Sequence, residues 1–180
     1  MEPVIIAIGG RIGSGKTTLS LSLSSELGFK YVSFGDYVRR IALKRGMNPN
    51  SREELQVIGE SLIKNDKKDF CNSVLKSVGW TSGESLVIEG IRHKEILKEI
   101  RKLTFPTSVL FVFLQITEDV RKKRIQYRSR ESLDEIRILE QHSTEKQVNH
   151  DLSLCADLIL QNGDKMSLDR IKNMIKELQH

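Results

Sequence analysis

The eight residues Gly10-Arg11-Ile12-Gly13-Ser14-Gly15-Lys16-Thr17 constrain this chain more than any other stretch in it. They follow an unbroken apolar run, Val4-Ile5-Ile6-Ala7-Ile8, of the kind carried by a strand buried on both faces. Behind them, residues 16–27 place Leu19, Leu23 and Leu27 four apart, with Gly28 positioned to end a helix. A buried strand, a glycine loop and a helix therefore follow one another, and the loop satisfies G-x-x-x-x-G-K-[ST]. Glycines there let successive backbone N–H groups converge on phosphate oxygens, and the helix adds its positive end. Lys16 supplies a mobile positive charge near a transferring phosphate, and the Thr17 hydroxyl offers an oxygen to Mg²⁺. The expectation is a nucleoside triphosphate site made by Gly10, Gly13, Ser14, Gly15, Lys16, Thr17 and Thr18, with ATP and Mg²⁺ as cofactors. The G-x-G-x-x-G spacing of dinucleotide folds is absent, which disfavours a nicotinamide cofactor.

Around that loop the chain reads as repeated βα units, which imply a mostly parallel sheet covered by helices. A second strand is expected at residues 29–34 and a helix at 36–44. Ser51 and Glu54 have capping-box spacing and open a further helix with Leu55, Ile58 and Leu62 on one face; the polar stretch 64–69 interrupts it before 70–78. Strands are predicted at 84–89, 107–116 and 156–160, and Ser167 caps a last helix carrying Leu168, Ile171, Met174, Ile175 and Leu178 as one stripe. With 180 residues, 38% of them hydrophobic, one domain with a sizeable core is the expectation. No apolar run approaches the roughly 20 residues of a membrane span, and the first ten residues do not form a signal peptide. Cys71 and Cys155 lie far apart without metal-ligand spacing. A reducing, cytoplasmic setting follows. The net charge of +5 permits an anionic partner without naming one.

Four more segments carry a family resemblance. Gly35-Asp36-Tyr37-Val38-Arg39 is similar to the GDxxR of adenylate kinases, and Val87-Ile88-Glu89-Gly90-Ile91-Arg92 to the acidic residue, glycine and arginine that end the third strand in that family. Arg124 and Arg128 match RI-x-x-R in the helix before the lid, and residues 156–163 match AD-x-x-I-x-N-x-G. With the loop, these resemble the P-loop nucleoside monophosphate kinase superfamily, in its adenylate-kinase-like and dephospho-CoA-kinase-like branches, over nearly the whole chain. The resemblance implies an α/β fold: a P-loop NTPase three-layer αβα sandwich with a five-stranded parallel sheet. It also implies a helical acceptor-binding region at 48–79 and a short lid at 126–147, both insertions in a single domain of residues 1–180. Arg39 would then hold the acceptor phosphate, with Glu89 and Arg92 beside it. Asn162 would border the adenine, and Glu89 would join Thr17 at the metal. Two departures leave the acceptor open: Glu89 stands where adenylate kinases have Asp, and Arg92 sits one residue early.

Physical reasoning adds to this. Phosphoryl transfer spreads negative charge over the moving group, and arginine's planar fork matches phosphate. Arg124 and Arg128 share a helix face with Arg121, so all three could line the cleft, whereas Lys122 and Lys123 read as solvated. Between Arg39 and neighbouring Arg40, Arg39 is taken as the inward residue. Asp36 either caps its own helix or serves the substrate. Glu89, at the end of a buried strand, needs compensation from Mg²⁺ or Arg92. Trp80, Tyr31 and Tyr127 read as packing residues, and His142-Ser143-Thr144-Glu145 as lid or helix-end structure. The leading function is an ATP-Mg²⁺-dependent phosphotransferase acting on a small nucleotide acceptor, first a (deoxy)nucleoside monophosphate, with Lys16, Arg124, Arg128 and Asp36 as catalytic residues. The alternatives are a dephospho-CoA-kinase-like enzyme, in which Asp36 takes a ribose hydroxyl proton, and a regulatory NTPase. A nucleic-acid binder is disfavoured: six of the ten residues from Arg121 to Arg130 are cationic, but Tyr127 is the only aromatic among them. The sequence leaves the oligomeric state open.

Overall fold

The computed structural model describes residues 2–129, 152–161 and 167–178. Five strands form one parallel sheet in the order β2-β3-β1-β4-β5: β1 (Val4–Gly10), β2 (Lys30–Ser33), β3 (Leu86–Ile91), β4 (Ser108–Gln115) and β5 (Leu158–Gln161). The apolar run lies at the centre, and every residue of β1 is buried. Val4, Ile6 and Ile8 pack with Leu19 and Leu23 of α1 (Lys16–Leu27) and with Ile171 and Ile175 of the last helix. Ile5 and Ala7 face the other way, into the core shared by α2 (Phe34–Lys44), α3 (Arg52–Lys76) and α4 (Lys94–Thr104). Removing each of these larger side chains from water is worth about 1.5–3 kcal/mol, so the alternation fixes both layers at once. Helix α5 (Glu118–Ser129) follows β4, and α6 (Ser167–Leu178) closes the described chain. This is the three-layer αβα arrangement with five parallel strands that the resemblance implies.

The helices after β1 and β3 lie on opposite faces of the sheet, although the two strands are neighbours. A crevice opens at such a switch point, outside the carboxyl ends of the strands. It is the place where the glycine loop leaves β1.

Several local details depart from the sequence reading. Helix α4 was not anticipated between the third and fourth strands, although Ile96, Leu97 and Ile100 make a buried stripe on it. Strand β3 starts two residues later than predicted, because Glu84 is engaged by Lys30 at 2.8 Å and the Ser85 hydroxyl accepts from the Val4 amide at 3.1 Å. Ser51 does cap α3, accepting from the Glu54 amide at 3.3 Å, but the Glu54 carboxylate accepts from the Asn48 amide instead of closing the box. The polar interruption inside α3 is real: Asp66 leaves helical geometry and its carboxylate accepts from the Asp69 amide at 2.9 Å. Asp157, of the AD-x-x-I match, is a structural clamp. Its Oδ2 accepts from the Phe111 amide of β4 at 2.7 Å and from Arg101 of α4 at 3.0 Å. Among the described residues no helix is long and apolar enough to cross a membrane.

Candidate active site

The loop from Gly10 to Gly15 wraps above the end of β1, with positive φ at Gly10, Gly13 and Gly15. Lys16 opens α1 and is almost wholly buried; its Nζ donates to the Arg11 carbonyl at 2.8 Å, which folds the ammonium back over the loop. Of the other loop residues assigned to the triphosphate, Thr18 is exposed on the first turn of α1, whereas the Ser14 side chain is buried below the loop and offers only backbone. Arg11 donates to Glu118 at the start of α5. Burial alone would raise the Glu118 carboxyl, but the Arg11 hydrogen bond and charge, with the charge of Arg121, bring it below its ordinary value.

Thr17 donates its hydroxyl proton to Glu89 Oε1 at 2.7 Å, across from β3. The other carboxylate oxygen, Oε2, accepts from the Tyr31 hydroxyl of β2 at 2.5 Å. Glu89 is buried, and these two hydroxyls satisfy its oxygens; the sequence reading looked instead to Mg²⁺ or Arg92 for compensation. Tyr31 is therefore more than a packing residue. Burial, then the hydrogen bond and charge of Glu89, push its phenol well above the ordinary value, so it stays a donor. With its proton committed to Glu89, the Thr17 oxygen keeps lone pairs for a cation. Two hard oxygens from protein suit Mg²⁺, which usually retains water and phosphate ligands. Among the described residues no group of three or more His, Cys, Asp or Glu side chains forms a metal cage.

A cleft of about 440 Å³ runs from the loop, at Gly13, Lys16 and Thr17, to the wall made by α2 and α3. Asp36, Arg39, Glu89 and Arg92 all border it. Ser33, not Asp36, caps α2: its hydroxyl accepts from the Asp36 amide at 3.2 Å. The Asp36 carboxylate instead accepts from Arg39 at 2.7 Å, with both side chains about half exposed. Arg40 lies over the Tyr37 ring, 5.5 Å from its centroid, and so Arg39 is the member of the pair on the cleft. From α3 come Arg52, Gln56 and Glu60, spaced four apart on the face beside Leu55 and Ile63. That polar stripe was missed because the apolar one was read alone; the four-residue spacing was the available signal. His93, at the N-cap of α4, completes the residues that sequence reasoning passed over.

Neither Arg121 nor Arg124 of α5 lines this cleft. Arg121 is buried, donates to Glu118 at 3.3 Å and packs under Gly13, where a Cβ would meet its Cγ at 3.3 Å. Arg124 lies against the loop, donating to the Ser14 carbonyl at 3.1 Å, with its Nη1 3.3 Å from where a Cβ on Gly15 would stand. Lys122 and Lys123 are exposed, and so is Tyr127, which is not a packing residue. The Arg128 side chain, Arg130, Asn162, His142–Glu145 and most of the 126–147 lid lie outside the described residues.

Comparison with known proteins places this geometry in a family. The family model described as AAA domain matches residues 6–149. A cytidylate kinase of Methanosphaera stadtmanae is 28% identical over 184 residues, covering 97% of this chain and 96% of that protein. A cytidylate kinase of Natronomonas pharaonis is 36% identical over 90 residues, 45% of this chain and 47% of its own. In fold, the shikimate kinase of Aquifex aeolicus superposes with a TM-score of 0.59 at 17% identity, over 97% of this chain and 98% of that one. With residues 6–149, most of its length, matched by that model, the chain belongs to the AAA domain family, within the P-loop nucleoside monophosphate kinase-like superfamily.

Proposed function

We propose that this protein transfers the γ-phosphoryl group of ATP, with Mg²⁺, to a nucleoside monophosphate, with CMP as the first acceptor to test. The observation that carries the reading is the shared cleft, which Lys16 and Thr17 of the loop line together with Asp36, Arg39 and Arg92 and the wall made by α2 and α3. The near full-length similarity to a protein named cytidylate kinase supports the acceptor class. ATP lies with its phosphates on the loop, where backbone N–H groups and Lys16 meet the charge that grows on the bridging oxygen. Thr17 and Glu89 would hold Mg²⁺, which would supply neutralisation of the phosphate charge. Arg39 and Arg92 orient the acceptor phosphate. At neutral pH that phosphate is already anionic, its second pKa lying at about 6, so transfer needs positioning and cationic stabilisation but no strong base.

A hydroxyl acceptor is the second reading, because the Asp36 carboxylate stands on the same cleft and could take a proton. The test is a panel of CMP, dCMP, UMP, AMP, GMP and dephospho-CoA with ATP-Mg²⁺, following ADP and the phosphorylated product. Turnover with a monophosphate that survives Asp36→Asn supports the proposal. Product from dephospho-CoA alone, abolished by Asp36→Asn, replaces it with the second reading. ADP without any phosphorylated acceptor refutes both.

A further inference from the structure

Tyr31 sits on β2, one strand beyond Glu89, and reaches diagonally along the sheet: Ser33, two residues on, is the residue in register with Glu89. Its ring packs against the core between the sheet and α1, while its hydroxyl donates to Glu89 Oε2 at 2.5 Å and approaches the Ser33 side chain. Ser33 in turn caps α2, the helix that carries Asp36 and Arg39. Glu89 Oε1 is held by Thr17 on the loop side. A line of hydroxyl contacts thus runs from the cap of the acceptor helix, through Tyr31 and Glu89, to the residue beside the triphosphate.

We propose that Tyr31 is a positioning residue for the metal-binding carboxylate: its O–H holds Glu89 in the rotamer that Thr17 shares, and ties that rotamer to the cap of α2. This rests on the phosphotransfer reading above. A carboxylate fixed by one hydrogen bond can still pivot about its other oxygen, whereas one held at both oxygens from two different elements cannot. The hydroxyl is not a ligand and touches no substrate; it acts through Glu89. Ligands that lose such an outer partner typically lose about 10–100-fold in metal affinity or activity.

The test is Tyr31→Phe, which keeps the ring. ATP binding is followed by calorimetry in EDTA and in Mg²⁺, without acceptor, and turnover is measured as a function of Mg²⁺. The expected result is ATP affinity in EDTA within about twofold of the parent, a loss of about tenfold in the gain that Mg²⁺ brings, and a matching rise in the Mg²⁺ needed for half-maximal rate. In a Glu89→Gln background the same change should add nothing, since the partner is gone. A folded Tyr31→Phe protein with the parent's Mg²⁺ dependence overturns the proposal; a merely structural role would lower thermal stability and leave that dependence alone. Should Tyr31→Phe not fold, 3-fluorotyrosine replaces the three tyrosines of the parent chain, with Tyr37→Phe and Tyr127→Phe assigning the signals. The Tyr31 resonance should then move when Mg²⁺ is added to the ATP complex, and an unmoved resonance overturns the inference. Protein that binds Mg²⁺-ATP but phosphorylates no acceptor sinks the proposed function and leaves this test intact. Protein that takes up no ATP removes both.

Discussion

Gly10 and Gly28 both hold positive φ, 143° and 67°, yet alanine should affect them very differently. At Gly28, the C-cap of α1, an added Cβ meets nothing within 4 Å. The cost there is the left-handed backbone alone, about 1 kcal/mol. At Gly10 a Cβ would stand 2.6 Å from the Leu114 carbonyl oxygen, and that oxygen belongs to backbone paired with Gly10 in the sheet. A side chain could swing aside, but β4 cannot move without parting from β1. The substitution therefore combines strain of about 1–3 kcal/mol with about 1–3 kcal/mol for buried backbone groups left unpaired, together about 2–6 kcal/mol. In a chain of this size each kcal/mol lowers Tm by about 2–4 °C. Gly28→Ala should lose about 2–4 °C and bind ATP as the parent does. Gly10→Ala should lose at least about 4 °C and more than Gly28→Ala, and bind ATP more weakly, because the loop N–H groups shift with the end of β1. Differential scanning calorimetry and ATP titration at a temperature where both variants are folded make the comparison. Equal losses in Tm would refute the claim that the loop is pinned by the β1–β4 ladder.

Lys16→Ala should keep the fold and lower kcat by about 10²–10³-fold, the scale for one preorganised group that stabilises developing charge; circular dichroism with steady-state kinetics checks it. Asp157→Ala should destabilise the protein by about 1–3 kcal/mol without changing the acceptor KM, since it orphans the Phe111 amide and neither residue lines the cleft; chemical denaturation with initial rates separates the two. The folded Glu118 carboxyl lies below its ordinary value near 4.5, so its contribution to stability is complete above that pH and is lost as the pH falls through the depressed folded value. Glu118→Gln should flatten the fall in Tm below about pH 4.5, and an unchanged acid limb would refute the pairing with Arg11.

The parts of this fold legible in the sequence are those whose signal is local and periodic. The run from Val4 to Ile8 could only be a doubly buried strand, and Leu19 and Leu23 lie on the buried side of α1 as their spacing predicts. Ser51 capped where it was expected to. Helix α4 is less legible, because Ile96, Leu97 and Ile100 stand among Lys, Glu and Arg with no capping side chain before them. The site was legible where one segment supplies the chemistry, as in Lys16 and Thr17. It was not legible where strands distant in sequence meet. Tyr31 and Glu89 are 58 positions apart and become partners through the β2–β3 register alone. No local pattern separates a tyrosine that will pack from one that will also hold a carboxylate.

The same distinction governs charge. The net charge of +5 says little about the anion site, because the described cations of the most basic window do not form one surface: Arg121 is buried against Glu118, Arg124 is on the loop backbone, and Lys122 and Lys123 face solvent. What can meet an incoming phosphate is set by the cleft, where Lys16, Arg39, Arg52 and Arg92 stand against Asp36, Glu60 and Glu89. The Asp36–Arg39 pair is half exposed, and such pairs are worth about 0–1 kcal/mol. Exchanging that carboxylate for a phosphate therefore costs little, while a phosphate can accept two parallel bonds from the guanidinium fork. Until then Asp36 keeps the fork on the cleft side of α2, away from the Arg40–Tyr37 stack one residue on. A carboxylate with that task needs no proton from the acceptor, which favours the proposed monophosphate acceptor over the hydroxyl alternative.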